Sequence, residues 1–440
     1  MKNKFLKLMA LFVASAFAVN VGAQTNGTYY LYNEASGLFL SRGGTWGTHA
    51  VAADYGISFE IVNKNSNVYT LKNIDHSLVA NGGKYLGPDI YTDQGSHDYS
   101  FTASGDGYVL AKGADFLKIN ERNQYGQKEI GTTGTVSDAA VWELLSKEQY
   151  EVKVLEKRNA NVASIAQKVG LSVATEEELV AELSEWVPQD YTSEIGNADI
   201  GGGSAAWNID RTDANRGIGS PKSASGTFEV WKACADVNQT IEGLPQGIYK
   251  ISVQAFYRHG AAANAVRVGD NYNMVVNLYA NGNSTRLVSW NTIRTNNTYP
   301  NNQGDAHALL DSNASLALVE VFAYVGADGK LTLGIDNSSY VDDDWMICDN
   351  FKLTYYENIK DELKSEIEKL IDEARNIEAT YGVDAKVVLD KAVADGNAAL
   401  ESFTVGSLTA AIEPLKAAVA RAKRSVAINA AAMGATQGNA

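Results

Sequence analysis

The segment from Asn238 to Arg258, NQTIEGLPQGIYKISVQAFYR, has the hydrophobic pattern of two strands joined by a turn. Gly243, Pro245 and Gly247 separate the two apolar runs and predict the turn. Beyond it the pattern alternates, with Tyr249, Ile251, Val253 and Ala255 on one face and Lys250, Ser252 and Gln254 on the other. This alternation predicts a strand with one buried face and one wetter face, as in an antiparallel sheet.

A second alternating segment, WMICDNFKLTYY, runs from Trp345 to Tyr356. Its apolar face holds Trp345, Ile347, Phe351, Leu353 and Tyr355, and it also holds Asp349. A strand of the form QTI-x-GLP-x-G-x-YK followed later by D-N-F-K-L resembles the galactose-binding-like jelly roll, which is typical of carbohydrate-binding modules in secreted bacterial proteins. The resemblance covers residues 187–357 and implies a β-sandwich that binds a glycan.

Other short apolar runs in this region predict further strands, at 227–242, 272–281, 284–290, 306–310, 316–325 and 330–335. Asn281-Gly282 predicts a two-residue hairpin turn. Short strands at regular spacing favour a sandwich.

Residues 25–146 contain an internal repeat with a period of 39 residues. Two sets of positions recur at this step, namely Tyr30, Tyr69 and Tyr108, and Phe39, Leu78 and Leu117. Three units rich in short strands and glycine turns resemble a β-trefoil, in which these six side chains would share one core. The alternative is a small open β-barrel or sandwich.

Each repeat unit carries an aromatic residue after its glycine turn: Trp46, Tyr85 and Tyr125. The resemblance to ricin-like lectins implies that these rings stack on sugars, since the flat apolar face of a pyranose suits an aromatic ring. The alternative is that the rings plug the barrel ends. The Gln-x-Trp signature of ricin-type lectins is absent, because Ile57-Ser58-Phe59 and Ala140-Val141-Trp142 take its place.

Helical patterns flank the predicted sandwich. Residues 147–186 predict a helical linker, in which Thr175 and Glu178 have the spacing of a capping box. Residues 358–426 predict a three-helix bundle that resembles the small helical modules of bacterial surface polysaccharide-degrading proteins and offers a surface for a protein partner. The Ala- and Gly-rich residues 427–440 predict a disordered tail.

The first 23 residues have the pattern of a cleavable signal peptide. Lys2, Lys4 and Lys7 precede the apolar run from Leu8 to Val19, and Val21-Gly22-Ala23 supplies small residues before a cleavage site. The apolar run is too short for a membrane anchor, and no lipoprotein cysteine follows it. We therefore expect a secreted, periplasmic or cell-surface protein.

Composition and charge narrow the class of partner. The 440 residues are 45% apolar and 20% charged, as in ordinary globular proteins, and the formal net charge is −15. Nucleic acids and anionic membrane surfaces require a basic face, so neither is an expected partner, whereas a neutral polysaccharide makes no such demand.

The two cysteines, Cys234 and Cys348, lie near the ends of the predicted sandwich. An even number of cysteines in an exported protein predicts one disulfide between them. The alternative is two free thiols within a sheet.

The sequence contains no recognisable catalytic motif. The five histidines have no metal-binding spacing, and neither a Gly-x-Ser-x-Gly elbow nor a phosphate-binding glycine loop is present. We therefore expect no enzymatic activity. A hydrolase with an atypical site is the alternative, because two carboxylates of a glycosidase can be far apart in sequence.

The acidic loop Asp342-Asp343-Asp344 is a candidate calcium site, with Asp342 and Asp344 as the ligands. Jelly-roll sugar modules often carry a structural calcium, so the resemblance implies the same. The alternative is a solvated acidic loop. Asp349 shares an apolar face, so we expect it to be paired or hydrogen-bonded.

Loops and strand ends of the sandwich supply the candidate sugar contacts, which are Tyr257, Arg258, Trp290 and Tyr299. Aromatic faces and directional donors suit a sugar, but Tyr257 in the core and Trp290 as a strand-end plug are the alternatives. The favoured hypothesis is a mainly β, secreted, non-catalytic, multi-module carbohydrate-binding protein. A structural or adhesive protein that binds protein, or an accessory part of a glycoside hydrolase system, remains open.

Overall fold

The computed structural model describes residues 25–80, 82–122, 126–200, 205–210, 226–260, 263, 265, 268–269, 272–294, 298–377 and 382–437. The predicted signal peptide and Tyr125 lie outside these described residues. The chain divides into two units. The first contains residues up to Asn161, Thr192–Gln246 and Lys250–Leu353, and the second contains Val162–Tyr191, Gly247–Tyr249 and the residues from Thr354 onward.

The described chain is mainly β and has several domains. Its strands are β1 (Gly27–Asn33), β2 (Leu38–Gly43), β3 (His49–Ala53), β4 (Phe59–Asn65), β5 (Val68–Asn73), β6 (Tyr99–Ser104), β7 (Gly107–Lys112), β8 (Asp115–Arg122), β9 (Lys128–Thr133), β10 (Val141–Leu145), β11 (Val187–Asp190), β12 (Asn208–Asp210), β13 (Phe228–Trp231), β14 (Ala235–Ile241), β15 (Gly247–His259), β16 (Asn277–Ala280), β17 (Asn283–Arg286), β18 (Val288–Ser289), β19 (Leu318–Val325), β20 (Leu331–Asn337) and β21 (Asp344–Glu357).

The α-helices are α1 (Ile74–Val79), α2 (Lys147–Gln167), α3 (Glu176–Leu183), α4 (Trp290–Ile293), α5 (Gln303–Asp311), α6 (Lys360–Arg375), α7 (Val383–Ser402) and α8 (Val405–Gln437). Short 3-10 turns occupy Thr45–Gly47, Asp138–Ala140 and Thr192–Glu194. Among the described residues, none of the helices combines the length and the apolar character needed to span a membrane.

Six of the first ten strands form a ring that closes on itself. Antiparallel pairs join β1 to β4, β4 to β5, β5 to β6, β6 to β7, β7 to β10 and β10 back to β1. Two hairpins, β2–β3 and β8–β9, extend from this ring and pair with each other through β3 and β9. Helix α1 lies in the chain between β5 and β6, where a third hairpin would be expected from the repeat.

The six repeat positions do not share one core, so this prediction is wrong in detail. Tyr69, Tyr108 and Leu117 lie in the main cluster inside the ring, whereas Tyr30 and Phe39 pack with Tyr150 in a separate cluster. The sixth position, Leu78, is only half-buried because it lies on α1 rather than on a strand.

Two further sheets follow in the chain. One has the strand order β12-β14-β20-β16-β17, and the other contains β11-β21-β15-β18, with β13 also paired to β21 and β19 to β15. The predicted hairpin turn is confirmed, since Asn281 and Gly282 both have positive φ, 43° and 85°, and join β16 to β17.

The predicted strand at 306–310 is wrong, because these residues belong to helix α5. The Asn302 side chain accepts a hydrogen bond from the Asp305 N–H at 2.9 Å and caps the helix. A short apolar run fits a strand or a buried helix equally well, so the periodicity did not distinguish them.

The remaining helices follow the sequence pattern. The Thr175 hydroxyl accepts the Glu178 N–H at 3.2 Å, and the Glu178 carboxylate accepts the Ala174 N–H at 2.7 Å, which together cap α3. Helices α6, α7 and α8 share one apolar cluster that includes Ile367 and Leu415. Residues 427–437, predicted as a disordered tail, continue α8 as far as Gln437.

Cys234 and Cys348 are both buried and are not bridged to each other, so the structure does not contain the predicted disulfide. Cys348 lies opposite Phe228 in the β13–β21 pair, whereas Cys234 comes just before β14, in the other sheet. The sulfur of Cys234 instead packs against Gly47, where a Cβ atom would clash with it. Burial raises the pKa of the Cys348 thiol, which disfavours the reactive thiolate.

Candidate functional site

Two of the predicted sugar contacts, Trp290 and Tyr257, are core residues with 3% exposure each. The Trp290 ring lies 4.7 Å from that of Phe256, and its indole N–H donates to the Thr298 carbonyl at 2.9 Å. With its faces packed and its donor satisfied, Trp290 has no surface for a sugar. Burial contradicts the prediction that Trp290 and Tyr257 contact a ligand. Tyr257 is a core residue, which was its alternative role, and Trp290 packs in an apolar cluster at the end of β18.

Arg258 is also buried, with 4% exposure, and the chain itself occupies its guanidinium. Nη1 donates to the Gly260 carbonyl at 2.6 Å, Nη2 donates to the Asn301 side-chain oxygen at 3.2 Å, and the group lies 4.5 Å above the Trp345 ring. Burial lowers the pKa of Arg258 to about 10. Arg258 is therefore a structural residue rather than a sugar contact.

Tyr299 is half-buried and both its edge and its face contact neighbouring side chains. Its hydroxyl donates to the Asn291 side-chain oxygen at 2.9 Å, and the Arg294 guanidinium lies 5.0 Å above its ring. The ring therefore stabilises the loop after α4 and presents little apolar face.

The predicted calcium ligands lie in different environments. Asp342 is exposed, whereas Asp344 is 2% exposed and bonds His259 Nδ1 at 3.1 Å and the Tyr272 hydroxyl. Burial raises the pKa of Asp344, which opposes its charged form. Among the described residues, the one group of three closely spaced potential metal ligands contains neither Asp342 nor Asp344.

The aromatic residues that were predicted to contact a sugar in the first β region differ in exposure. Trp46 is 49% exposed, while Tyr85 is half-buried and lies in isolated bridges with Lys72 and Gln94. Among the described aromatic residues, only Trp46 and Phe403 fall in the exposed class. Trp46 is therefore the predicted contact that remains available to a ligand.

The turn that carries Trp46 is tightly held on both sides. Before it, the Gly44 N–H donates to the Gln127 side-chain oxygen at 2.7 Å. After it, the Thr48 carbonyl accepts both the N–H and the hydroxyl of Thr92, at 2.8 Å and 3.0 Å. The turn is thus fixed by Gln127, which directly precedes β9, and by Thr92 in the segment that follows α1, so the position of Trp46 does not depend on β2 and β3 alone.

Trp46 itself has left-handed backbone geometry, with φ 61° and ψ 4°. Bulky L-residues rarely adopt this region, because the Cβ approaches the following carbonyl at a cost of roughly 1–2 kcal/mol. Such strain persists where the surrounding structure enforces it, and it is concentrated at functional sites.

Gly47, the residue after Trp46, connects this turn to the acidic loop between β20 and β21. The Tyr340 N–H donates to the Gly47 carbonyl at 2.8 Å, and the Tyr340 hydroxyl donates to the Asp342 carboxylate at 3.2 Å. Lys232 then forms ion pairs with Asp342, at 3.5 Å, and with Asp343.

We call the surface formed by Trp46, Trp231, Lys232, Tyr340, Asp342 and Asp343 the junction surface. Trp231 is half-buried beside Lys232, whose ammonium lies 5.3 Å from the centre of the indole ring. Hydrogen bonding to Asp343 raises the pKa of Lys232 and keeps it a donor at neutral pH. Lys232 and Asp343 also have positive φ, 51° and 68°, so the junction surface contains three strained non-glycine residues.

Chemically, the junction surface combines aromatic faces with charged donors and acceptors on fixed backbone. Apolar ring faces match sugar C–H groups, and carboxylates and ammonium groups match hydroxyls. Sequence reasoning identified Trp46 and the acidic loop but missed Trp231, Lys232 and Tyr340. The available signal was the position of Tyr340 two residues before the acidic loop, but nothing in the sequence indicated that Lys232 folds onto that loop.

A buried polar cluster links β2, the strand that precedes the Trp46 turn, to Asn273. Arg42, which is fully buried in β2, donates through Nη2 to the Asn273 carbonyl at 3.1 Å and lies 4.0 Å from the Asp75 carboxylate. Asp75 in turn accepts the Asn273 N–H at 3.1 Å. Burial raises the pKa of Asp75, and the nearby Arg42 opposes this shift. These bonds connect β2 and α1 to the segment that precedes β16.

Comparison with known proteins identified no matching family model and no matching curated protein. Solved structures with partial similarity include the CBM51-2 domain, in complex with GlcNAc, and INT domains of Clostridium perfringens ZmpB, at 13% identity and a TM-score of 0.21, over 48% of this chain and 41% of that one. The Polyporus squamosus lectin bound to a human-type influenza-binding epitope matches at 12% identity and a TM-score of 0.23. The match covers 33% of this chain and 55% of the lectin chain.

A third structure, Cry35Ab1, matches at 10% identity and a TM-score of 0.22, over 75% of this chain and 90% of that one. This chain spans less than half the length of the ZmpB structure. Although carbohydrate-binding modules and a lectin are among these neighbours, TM-scores near 0.2 are too low to carry an argument about this chain.

Proposed function

We propose that the protein is a secreted, non-catalytic carbohydrate-binding protein and that the junction surface binds the glycan. The observation that carries this proposal is the half-exposed Trp46, which has left-handed geometry and directly precedes Gly47, whose carbonyl accepts the Tyr340 N–H. A half-exposed indole on a turn that is held from both sides provides a pre-organised apolar platform. Pre-organisation matters for a shallow site, because ordering side chains would otherwise weaken binding.

The proposed fold assignments support this function. The six-strand ring with two hairpins is consistent with a β-trefoil whose second hairpin is replaced by the segment containing α1, and the two later sheets are consistent with a jelly roll. Both folds resemble those inferred from the sequence repeat and from the D-N-F-K-L strand. The formal charge of −15 favours a neutral glycan over an anionic one.

A shallow site of this kind should bind weakly. Few atoms are buried and association has a large entropic cost, so we expect dissociation constants on the order of 10–1000 μM. The test uses the full mature chain on a glycan array, followed by titration calorimetry with a retained oligosaccharide. Trp46→Ala should weaken binding at least tenfold while the protein remains folded.

Phe403→Ala is the matched control. Phe403 is also exposed and also left-handed, with φ 48°, but it lies at the end of α7 in the helical bundle. Its replacement should leave glycan affinity unchanged. Equal affinity of wild type and Trp46→Ala would refute the junction surface as the site. Silence across the glycan array, with capture of a defined protein partner, would favour the adhesive alternative.

A further inference from the structure

His307, Asp311 and Asp349 form a compact polar cluster in the sandwich that the proposed glycan site does not use. His307 lies on α5, Asp311 at the end of the same helix, and Asp349 on β21. One potential ligand atom from each residue lies within 4.8 Å of the others. Asp349 has 0% exposure, whereas His307 is half-buried and Asp311 is exposed, so the cluster opens to solvent on the Asp311 side.

Each nitrogen of the His307 ring faces a carboxylate. Nδ1 lies 2.8 Å from Asp349 Oδ2, and Nε2 lies 3.3 Å from Asp311 Oδ2. A neutral imidazole has a single N–H and therefore satisfies only one of the two. The buried contact at Nδ1 takes that proton, because Asp349 has no access to water. Nε2 then faces Asp311 with a lone pair, and a second proton or a cation is needed between them.

Asn350 orients both carboxylates toward the ring. Its N–H donates to Asp349 Oδ1 at 2.7 Å, and its side-chain amide donates to Asp311 Oδ1 at 3.1 Å. The other oxygen of each carboxylate is thereby left facing His307. Asn350 has a positive φ of 56°, so its backbone is strained in the geometry that allows both bonds. The same amide also donates to the Gln254 side chain at 2.9 Å, which fixes it.

The backbone also makes room for the ring. Gly226 has φ 60°, and a Cβ added there would lie 2.6 Å from the His307 ring. A larger residue at this position would displace the imidazole, so the ring orientation depends on glycine here.

We propose that His307 Nε2 and Asp311 Oδ2 bind a divalent transition-metal ion, with Asp349 holding the imidazole from the other side. A carboxylate that accepts the second N–H of a metal-bound histidine fixes its tautomer and strengthens it as a ligand. One imidazole nitrogen and carboxylate oxygens suit zinc, whereas calcium prefers oxygen ligands alone. Both ligands lie one turn apart on α5, and the ion would complete its coordination with water on the exposed side.

The test is calorimetric titration of the full mature chain, stripped with chelator, with ZnCl₂. We expect one zinc ion per chain and an increase in melting temperature, since an ion that binds only the folded state stabilises it. CoCl₂ should give visible d–d absorption bands from the same site, and CaCl₂ should not compete. His307→Gln and Asp311→Asn should each weaken zinc binding at least tenfold.

His97→Gln is the matched control, because His97 lies in the first β region and belongs to no such cluster among the described residues. The zinc affinity of the His97→Gln variant should equal that of wild type. Asp311→Asn keeps the test valid if His307→Gln fails to fold, since Asp311 is exposed. The absence of zinc binding, or equal affinity in all variants, would overturn the proposal. A lower melting temperature in His307→Gln without zinc binding would identify the cluster as an ion pair only.

Discussion

Trp46 and Trp290 occupy comparable places in the sequence but opposite environments in the structure. Each follows a strand and lies in a short helical turn, Thr45–Gly47 in one case and α4 in the other. Trp46 is 49% exposed on a strained turn, whereas Trp290 is 3% exposed against Phe256. An aromatic residue at a strand end is therefore a sugar contact only if no distant part of the chain covers it, and that depends on tertiary packing.

The largest expected effect that separates these two regions is on stability. Trp290→Ala removes a ring packed in the core and should lower the free energy of unfolding by about 3–5 kcal/mol. Trp46→Ala removes a half-exposed ring and should change it by less than about 1 kcal/mol. Urea unfolding monitored by circular dichroism measures both. Similar losses for the two variants would show that the contrast in burial is wrong.

A smaller expected effect is the pH dependence of the free energy of unfolding, which distinguishes the first β region from the surroundings of Trp290. His76 on α1 is 8% exposed near Arg42, and burial, helped by the positive charge of Arg42, lowers its pKa to about 3. The unfolded chain, with a histidine pKa near 6.5, binds more protons between these values. The contribution of His76 to the free energy of unfolding should therefore be complete above about pH 6.5 and decrease as the pH falls toward 3.

At pH 5 this loss amounts to about 2 kcal/mol, from 1.36 kcal/mol for each unit below 6.5. His76→Gln should flatten that part of the stability profile, whereas Trp290→Ala should lower the profile without changing its slope, because its neighbours Phe256, Trp345 and Leu310 are apolar. Unfolding curves at half-unit steps from pH 4 to 7 measure the slopes. An unchanged slope in His76→Gln would rule out this origin of the pH dependence.

The sequence predicted the regular elements well where the period was clear. The strands β15 and β21 and the capping residues of α3 are placed as expected. The wetter face predicted for β15 is wrong, because Ser252 and Gln254 on that face are both buried. The apolar run at 306–310 was too short to distinguish strand from helix, although Asn302 ahead of Asp305 was an available capping signal. The 39-residue repeat predicted strands but not their core, because α1 interrupts the repeat and carries Leu78 outward.

The candidate site was less predictable for a physical reason. Trp290 is covered by Phe256 and Trp345, which lie far from it in sequence, and Asp344 bonds His259 across a similar distance. The alternation of residues along a strand shows which face of the sheet a side chain lies on, but it does not show what packs against that face. The junction surface is likewise assembled from three separate segments, around Trp46, Lys232 and Tyr340, whose proximity no local pattern encodes.

Hydroxyl-radical footprinting of the full chain, with and without a retained oligosaccharide, tests the central claim most directly. Peptide mass spectrometry reports the oxidation rate of each aromatic residue. Without glycan, Trp46 and Phe403 should oxidise readily and Trp290 slowly, in line with their exposure. With saturating glycan, the Trp46 rate should fall several-fold while the Phe403 rate stays constant. Unchanged oxidation of Trp46 in the bound state, or oxidation of Trp290 as fast as that of Trp46 in the free state, would contradict the account.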